Sequence, residues 1–229
     1  MANLNAMKQS DCIKIEDDWK GYDLTTFCIA SHYEDVLSSV LIPHGVIKDR
    51  IEKLAVDITQ SWLEDAKGLT TLCVLKGGFK FFADLLNAID HENRTKPNSI
   101  AVSVDFIRVE SYVNCESSGK VKVIGIDNLE FLKDKDVLIV EDVVESGKTM
   151  TKLLEYVNQF KPNSVKVASL LVKRTATGTH YKPDFIGFEV PNNFLVGYAL
   201  DYNDHFRDLN HICVINEEGK QRYACKKGK

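Results

Sequence analysis

Long apolar runs are what this chain of 229 residues most clearly lacks. None approaches the roughly 20 residues that a bilayer-spanning helix requires, so no membrane segment is expected. Met1 to Asp18 carries Lys8, Asp11, Lys14 and Glu16 with no apolar core, so a secretory signal is not expected either. There is no surplus of positive charge: the net charge of −4 and pI near 5.9 argue against a general binder of nucleic acid or membrane surfaces. Only the end is basic, where Lys226, Lys227 and Lys229 read as a solvated tail. The six cysteines include no C-x-x-C pair, and the six histidines keep no ligand spacing with them or with each other, which argues against a protein-held zinc site. Cys73 and Cys213 lie inside apolar runs and Cys115 in a polar loop, a distribution of reduced thiols that fits the cytoplasm. Internal repeats, low-complexity tracts and clear linkers are also missing. What remains, at 44% hydrophobic and 27% charged residues, is ordinary globular composition for one domain with an appended lobe.

The most informative stretch runs from Val137 to Thr149. Val137-Leu138-Ile139-Val140 is a short aliphatic run suited to a strand buried on both faces. It ends in Glu141-Asp142-Val143-Val144-Glu145-Ser146-Gly147-Lys148-Thr149, after which Met150, Leu153, Leu154 and Val157 keep helical spacing. Strand, turn and helix in this order form the place where open α/β sheets bind ligands. A helix starting at Gly147-Lys148-Thr149 aims unpaired N–H groups and its positive dipole end at the turn, which suits a phosphate. Ser146 alone could be an N-cap, worth about 0.5–2 kcal/mol, but that explains one residue only. A Walker A loop is excluded, because Asp142 stands where that motif needs its first glycine. Three carboxylates, Glu141, Asp142 and Glu145, beside an anion site are unfavourable unless sugar hydroxyls or a metal use their charge.

Around this turn, strand and helix patterns alternate. Val46, Ile47, Ile51, Leu54, Ala55 and Ile58 predict a helix ending near Gly68; Leu69 to Leu75 predicts a strand. Lys76-Gly77-Gly78 then turns into a helix with Phe79, Phe82, Ala83, Leu86 and Ile89 inward. Ile100, Val102, Val104 and Phe106 form a third apolar segment, followed by a polar loop from Ser111 to Lys120 that is a lid candidate. Further strands are expected at Val121 to Ile126 and Val165 to Val172. The alternation predicts an α/β fold: a doubly wound, mainly parallel central sheet flanked by helices. Pro183 to Val190, Leu195 to Leu200 and Ile212 to Ile215 lack intervening helices and are expected to form a small antiparallel hood. The expected organisation is an irregular segment 1–20, a domain 21–223 with its core at about 40–180 and its hood at about 21–39 and 181–223, and a basic tail 224–229.

The chain resembles the hypoxanthine-guanine phosphoribosyltransferases, type I phosphoribosyltransferases, in the acid-rich Ser-Gly-Lys-Thr turn and in a series of further motifs. These are Gly21-Tyr22-Asp23-Leu24, Ile42-Pro43-His44-Gly45, Val74-Leu75-Lys76-Gly77-Gly78, Val104-Asp105-Phe106-Ile107-Arg108, Val172-Lys173-Arg174, Gly197 to Asn203 and Phe206 to His211. The resemblance implies a purine-salvage transferase: a purine ring nitrogen displaces pyrophosphate from phosphoribosyl pyrophosphate, converting hypoxanthine and guanine to IMP and GMP. It implies that Glu141 and Asp142 hold the ribose hydroxyls, directly or through Mg²⁺, with Asp201 also linked to the metal. Glu145, Ser146, Gly147, Lys148 and Thr149 would bind the 5′ phosphate, and Val143 and Val144 would belong to the same ribose-phosphate site. Leu75, Lys76 and Gly77 would form a second anion turn with a cis peptide before the lysine, and Arg207 would add a pyrophosphate contact. Lys173 would read the 6-oxo group, Phe194 would stack on the purine, and Leu195 and Asp201 would complete the base site. Glu145 would take or share the purine N7 proton, and Ser111-Tyr112 would close over the site.

From the residues alone, Lys173-Arg174 could equally be a solvated strand end, Phe194 a core aromatic, and Asp201 and Arg207 surface charges. The resemblance also implies homodimers or homotetramers. In one place the chain departs from the family pattern, which has aspartate and threonine where Glu145 and Ser146 stand. The alternative it leaves is a weakly active or regulatory nucleotide-binding member of the same fold.

Overall fold

In a computed structural model of the chain, which describes residues 12–62, 68–97, 99–110, 122–124, 129–175 and 181–225, the apolar runs separate into two sheets. The elements in order are β1 (Ile13–Lys14), β2 (Leu37–Ile42), α1 (His44–Trp62), β3 (Leu69–Leu75), α2 (Phe79–Thr95), β4 (Val102–Glu110) and β5 (Lys122–Ile124). They continue with β6 (Asp136–Val144), α3 (Lys148–Asn158), β7 (Ser164–Lys173), β8 (Phe185–Val190), β9 (Leu195–Val196), β10 (Ile212–Ile215) and α4 (Glu217–Arg222). The main sheet has the order β1-β8-β7-β6-β3-β4-β5 and is parallel except where β5 meets β4. A second sheet, β2-β10-β9, is antiparallel.

The central strands are apolar on both faces because helices cover both. Leu138 and Val140 of β6 join one core with Ile47, Ile51, Leu54 and Ile58 of α1 and Phe81, Phe82 and Leu85 of α2. Val137 and Ile139, one residue out of phase, join the other with Met150, Leu153 and Val157 of α3. At the end of the strand stand Glu141 and Asp142, whose carboxyl groups interact with each other. The chain leaves β3 through α2 towards β4 and leaves β6 through α3 towards β7, so the connections diverge between β3 and β6. That is the topological switch point, and the turns after β3 and β6 lie at its carboxyl end.

Several expectations shift. Phe185 to Val190 is not part of the hood but a parallel strand beside β7, in register from Ala168↔Phe185 to Lys173↔Val190. The connection 174–184 has no helical spacing to announce a parallel crossover, so its alternation looked like that of a hairpin. Within β8, a Cβ on Gly187 would lie 2.5 Å from Leu170 O, a close approach that only glycine tolerates. Leu37–Ile42, by contrast, pairs with β10 in the small sheet. The segment assigned to 1–20 contributes Ile13 and Lys14 as an edge strand on β8. In α2 the buried face is Phe81, Phe82, Leu85 and Ile89, whereas Phe79 at the helix start is exposed. Cys73 and Cys213 are buried, as their apolar runs suggested, and burial pushes both thiols up to about 12. The lid candidate Ser111 to Lys120, with Ser111, Tyr112 and Cys115, lies outside the described residues.

Candidate active site

The turn after β6 has the form expected of an anion cradle. α3 begins at Lys148, and Gly147 before it takes φ 74° with no side chain capping the free N–H groups. Gly147 is required twice over, by its left-handed backbone and because a Cβ would sit 2.8 Å from Tyr181 N. Ser146 is not a true cap: its Oγ is 3.5 Å from Lys148 N. The N-terminal donors of α3 therefore remain available to a ligand, while Met150, Leu153 and Val157 anchor the helix from below. Val144 is buried against Val172 and Ile186, which fixes the strand end from which the turn departs.

The second turn stands on the neighbouring strand. The peptide between Leu75 and Lys76 is cis, as the resemblance implied. A Cβ on Gly77 would fall 1.6 Å from Asp142 Oδ2, so the Asp142 carboxylate occupies the space a side chain would need. Gly78 is similarly confined by Val74 O at 2.6 Å. Asp142 thus lies against the cis turn. Its backbone N–H donates to Glu141 Oε1 at 3.1 Å. Burial, and next the charge of Asp142, holds the Glu141 carboxyl well above the usual carboxylate range. Below both, Cys73 is raised first by burial and then by these two acids.

Lys173, at the end of β7, forms an ion pair with Glu145 across the mouth of the site. The lysine side chain is 10% exposed and the glutamate 58%, so a buried ammonium is reached by an acid from the solvent side. The same Nζ lies 5.7 Å from the centroid of the Phe194 ring, a cation–π contact. Phe194 is exposed and held edge-on by Tyr202 at 5.1 Å, not packed into the core. Leu195 follows in β9 with its side chain buried and its backbone paired with Val214.

Arg207 and Asp201 meet each other. Arg207 Nη2 is 2.7 Å from Asp201 Oδ1, and Nη1 donates to Ala199 O at 2.7 Å. Its Nε is buried without a hydrogen-bond partner among the described residues. Between them stands Asp204, which sequence reasoning passed over because it falls in the gap between two recognised motifs. Its Oδ1 accepts from Lys76 Nζ at 3.0 Å and from Arg207 Nη2 at 3.2 Å, and its N–H donates to Asp201 Oδ2 at 2.7 Å. Hydrogen bonds from Lys76, then from Arg207, hold the Asp204 carboxyl below its ordinary value. The cation of the cis turn and the cation of the 201–207 loop thus share one exposed carboxylate. Charge complementarity with Lys76 was the only signal in the sequence that could have found it.

The acids do not gather into a metal cage: among the described residues no three His, Cys, Asp or Glu side chains stand close enough to hold an ion. Glu141 and Asp142 nevertheless suit a hard divalent cation, because Mg²⁺ commonly uses one or two carboxylates and takes its remaining oxygens from water and substrate phosphates. A carboxyl forced towards its neutral form by burial and then by a like charge is the kind of group that a cation would relieve. Asp201 is engaged by Arg207 and is not joined to that pair.

The phosphoribosyl transferase domain family matches residues 41–203. The chain is 56% identical over 214 residues to the hypoxanthine-guanine phosphoribosyltransferase of Rattus norvegicus, covering 93% of this chain and 97% of that one. It is likewise 56% identical over 215 residues to the enzyme of that name from Homo sapiens, covering 94% and 98%. Among solved structures, hypoxanthine-guanine phosphoribosyltransferase from Schistosoma mansoni in complex with IMP matches with a TM-score of 0.81 at 45% identity, over 94% of this chain and 100% of that one.

Proposed function

This chain belongs to the hypoxanthine-guanine phosphoribosyltransferases, and on that premise we propose that it converts hypoxanthine and guanine with phosphoribosyl pyrophosphate into IMP and GMP, releasing pyrophosphate. It is a pentosyl-transferring enzyme of purine salvage. The observation that carries the assignment of roles is the Glu145–Lys173 ion pair facing the Phe194 ring above the N-terminus of α3. It puts a proton acceptor, a carbonyl-reading donor and a stacking surface beside a phosphate cradle.

Residues 145–149 hold the 5′ phosphate through the free N–H groups of the helix start and the hydroxyls of Ser146 and Thr149. The purine ring lies on Phe194. Lys173 donates to its 6-oxo group, where the amino group of adenine would oppose a donor with a donor. The backbone of Leu195 meets the base edge. As the purine ring nitrogen forms its bond to the anomeric carbon and the bond to pyrophosphate breaks, positive character develops on the sugar, and Glu141 and Asp142 stabilise it while accepting from the ribose hydroxyls. Glu145 accepts the proton that the purine must lose. Lys76, Gly77 and Arg207 receive the departing pyrophosphate, Lys76 and Arg207 exchanging Asp204 for its oxygens. Mg²⁺, held by Glu141 and Asp142, would supply neutralisation of the pyrophosphate charge. Asp201 contributes to the base site and, through Arg207, to the metal side.

Assembly into dimers or tetramers belongs to the same reading and is supported by Phe79, Val104 and Phe106, large apolar side chains left exposed on α2 and β4. A cytoplasmic location is supported by the free thiols Cys12, Cys28, Cys73, Cys213 and Cys225. No helix among the described residues is long and apolar enough to cross a membrane. The deciding experiment is a steady-state assay with each base, phosphoribosyl pyrophosphate and Mg²⁺, with IMP and GMP as expected products. Folded protein that binds the sugar phosphate and forms neither product would overturn the assignment.

A further inference from the structure

We propose that Asp84, on α2 and outside every motif above, is a positioning residue that aims Arg207 at the leaving group by acting through Tyr198. The inference rests on the assignment of Lys76 and Arg207 to pyrophosphate. It starts from a backbone that ordinary residues avoid. Gly197, Tyr198 and Ala199 are consecutive residues at positive φ, 92°, 52° and 75°. Glycine adopts this region freely, but tyrosine and alanine do so only where surrounding contacts over-determine them. Gly197 has no alternative, since a Cβ there would lie 2.1 Å from His211 O.

The contacts that hold the turn come from α2. Tyr198 is 2% exposed, and its hydroxyl donates to Asp84 Oδ2 at 2.5 Å. Asp84 Oδ1 is held in turn by Lys48 Nζ of α1 at 2.6 Å. One helical turn before Asp84 on the same face, Lys80 donates to Leu209 O at 3.2 Å, the carbonyl that also accepts the Tyr198 N–H at 2.8 Å. The hood loop is thus gripped by Lys80 and Asp84 together. Burial, and then Asp84, pushes the Tyr198 phenol upward, so it stays the donor.

From Tyr198 the path to the arginine is short. Ala199 O accepts from Arg207 Nη1 at 2.7 Å, and Ala199 N–H donates back to Arg207 O at 3.3 Å. The direction of the guanidinium therefore depends on where the Ala199 carbonyl points, and the Tyr198 backbone decides that. α2 also grows directly from Lys76-Gly77-Gly78, so one rigid helix carries the cis turn at its start and the anchor for Arg207 at its sixth residue. Asp84 keeps two cations from distant parts of the chain at a common spacing.

The test uses Asp84→Asn and Tyr198→Phe in the full chain. Titration calorimetry with pyrophosphate plus Mg²⁺, and separately with IMP, reads the two halves of the site, alongside KM for phosphoribosyl pyrophosphate and for hypoxanthine. Each variant is expected to weaken pyrophosphate and raise the KM for phosphoribosyl pyrophosphate by between about tenfold and 10²-fold, the cost of a misplacement near 1 Å. Affinity for IMP and the KM for hypoxanthine stay within about twofold, and the double variant loses no more than the worse single one. A general loss of structure would weaken pyrophosphate and IMP together, and that result overturns the proposal, as does unchanged pyrophosphate binding in both variants. Tyr198→Phe, which removes one oxygen, keeps the question open to measurement if Asp84→Asn does not fold. A wild-type enzyme that forms no IMP would refute the functional assignment instead, a separable outcome.

Discussion

In the proposed mechanism Glu145 takes the purine proton, and its substitution is the direct test of that role. Its side chain is 58% exposed while that of its partner Lys173 is 10% exposed, so the pair holds a nearly buried ammonium in place from the solvent side. Glu145→Gln keeps the shape, removes the proton acceptor and leaves Lys173 without its counter-charge. Turnover is expected to fall by about 10²–10⁴-fold, the usual worth of a positioned base. Glu145→Asp, shorter by a methylene, retains the acid and is expected to stay within about tenfold of the parent, the range of a small misplacement. Single-turnover rates with hypoxanthine compare the three proteins, and unchanged turnover in Glu145→Gln would remove the base role. At this scale the sequence was legible where chemistry is local. Gly147 and Gly77 could be read as turn glycines, although only the structure reveals Tyr181 and Asp142 in the space their side chains would fill. Asp204 and Asp84 were not legible, because each takes its meaning from a partner more than a hundred residues away.

Elements carry the next level of control, and α1 carries an unusual one. Its first residue, His44, donates its N–H to His211 Nδ1 at 3.0 Å, so a neutral imidazole caps the start of the helix. Burial, and then the proximity of His44, lowers the His211 pKa below its ordinary 6.5. The unfolded chain therefore binds this proton at a higher pH than the folded one. The contribution of His211 to stability is complete above about pH 6.5 and is lost as the pH falls through the lower folded value. A protonated ring would also place a cation at the positive end of the helix dipole. Thermal melts from pH 7.5 to 5 should show a decline in melting temperature that is shallower in His211→Asn, whose amide can accept the same bond without titrating. Equal slopes in the two proteins would exclude His211 as the source. The helices themselves were readable from spacing, and the errors lay in which neighbour faces inward, as with Val46 and Phe79 at first turns and with Ala83, which is exposed where Phe81 and Leu85 are buried. At the first turns the apolar face begins before the helix is fully covered by its partners.

For the whole molecule, the alternation of strand and helix made the parallel sheet and its switch point legible, and with them the place of the candidate site. What could not be read was the membership of the last strands. β8 reads as a hood strand because the sequence before it keeps no helical spacing, yet Arg50 of α1, itself buried, donates to Ile186 O at 2.8 Å and to Gly187 O at 3.0 Å and ties that strand to the main core. No periodicity announces such a tie between a helix cation and strand carbonyls. Beyond β8 lies the short β1, where Ile13 pairs with Phe188 and Lys14 with Glu189. Arg174 Nη2 clasps this strand by donating to Ile15 O at 2.5 Å and to Asp17 Oδ1 at 2.7 Å. Without it, the unpaired N–H and C=O groups of β8 would face solvent beside Phe185, Ile186 and Phe188, an open template for another chain. Removing residues 1–20 is therefore expected to leave catalysis per folded molecule within about twofold while light scattering on warming rises at a lower temperature; an unchanged onset would refute this. The two residues of β1 are thus expected to matter to solubility rather than to chemistry: they cover the open edge of β8 at the side of the sheet.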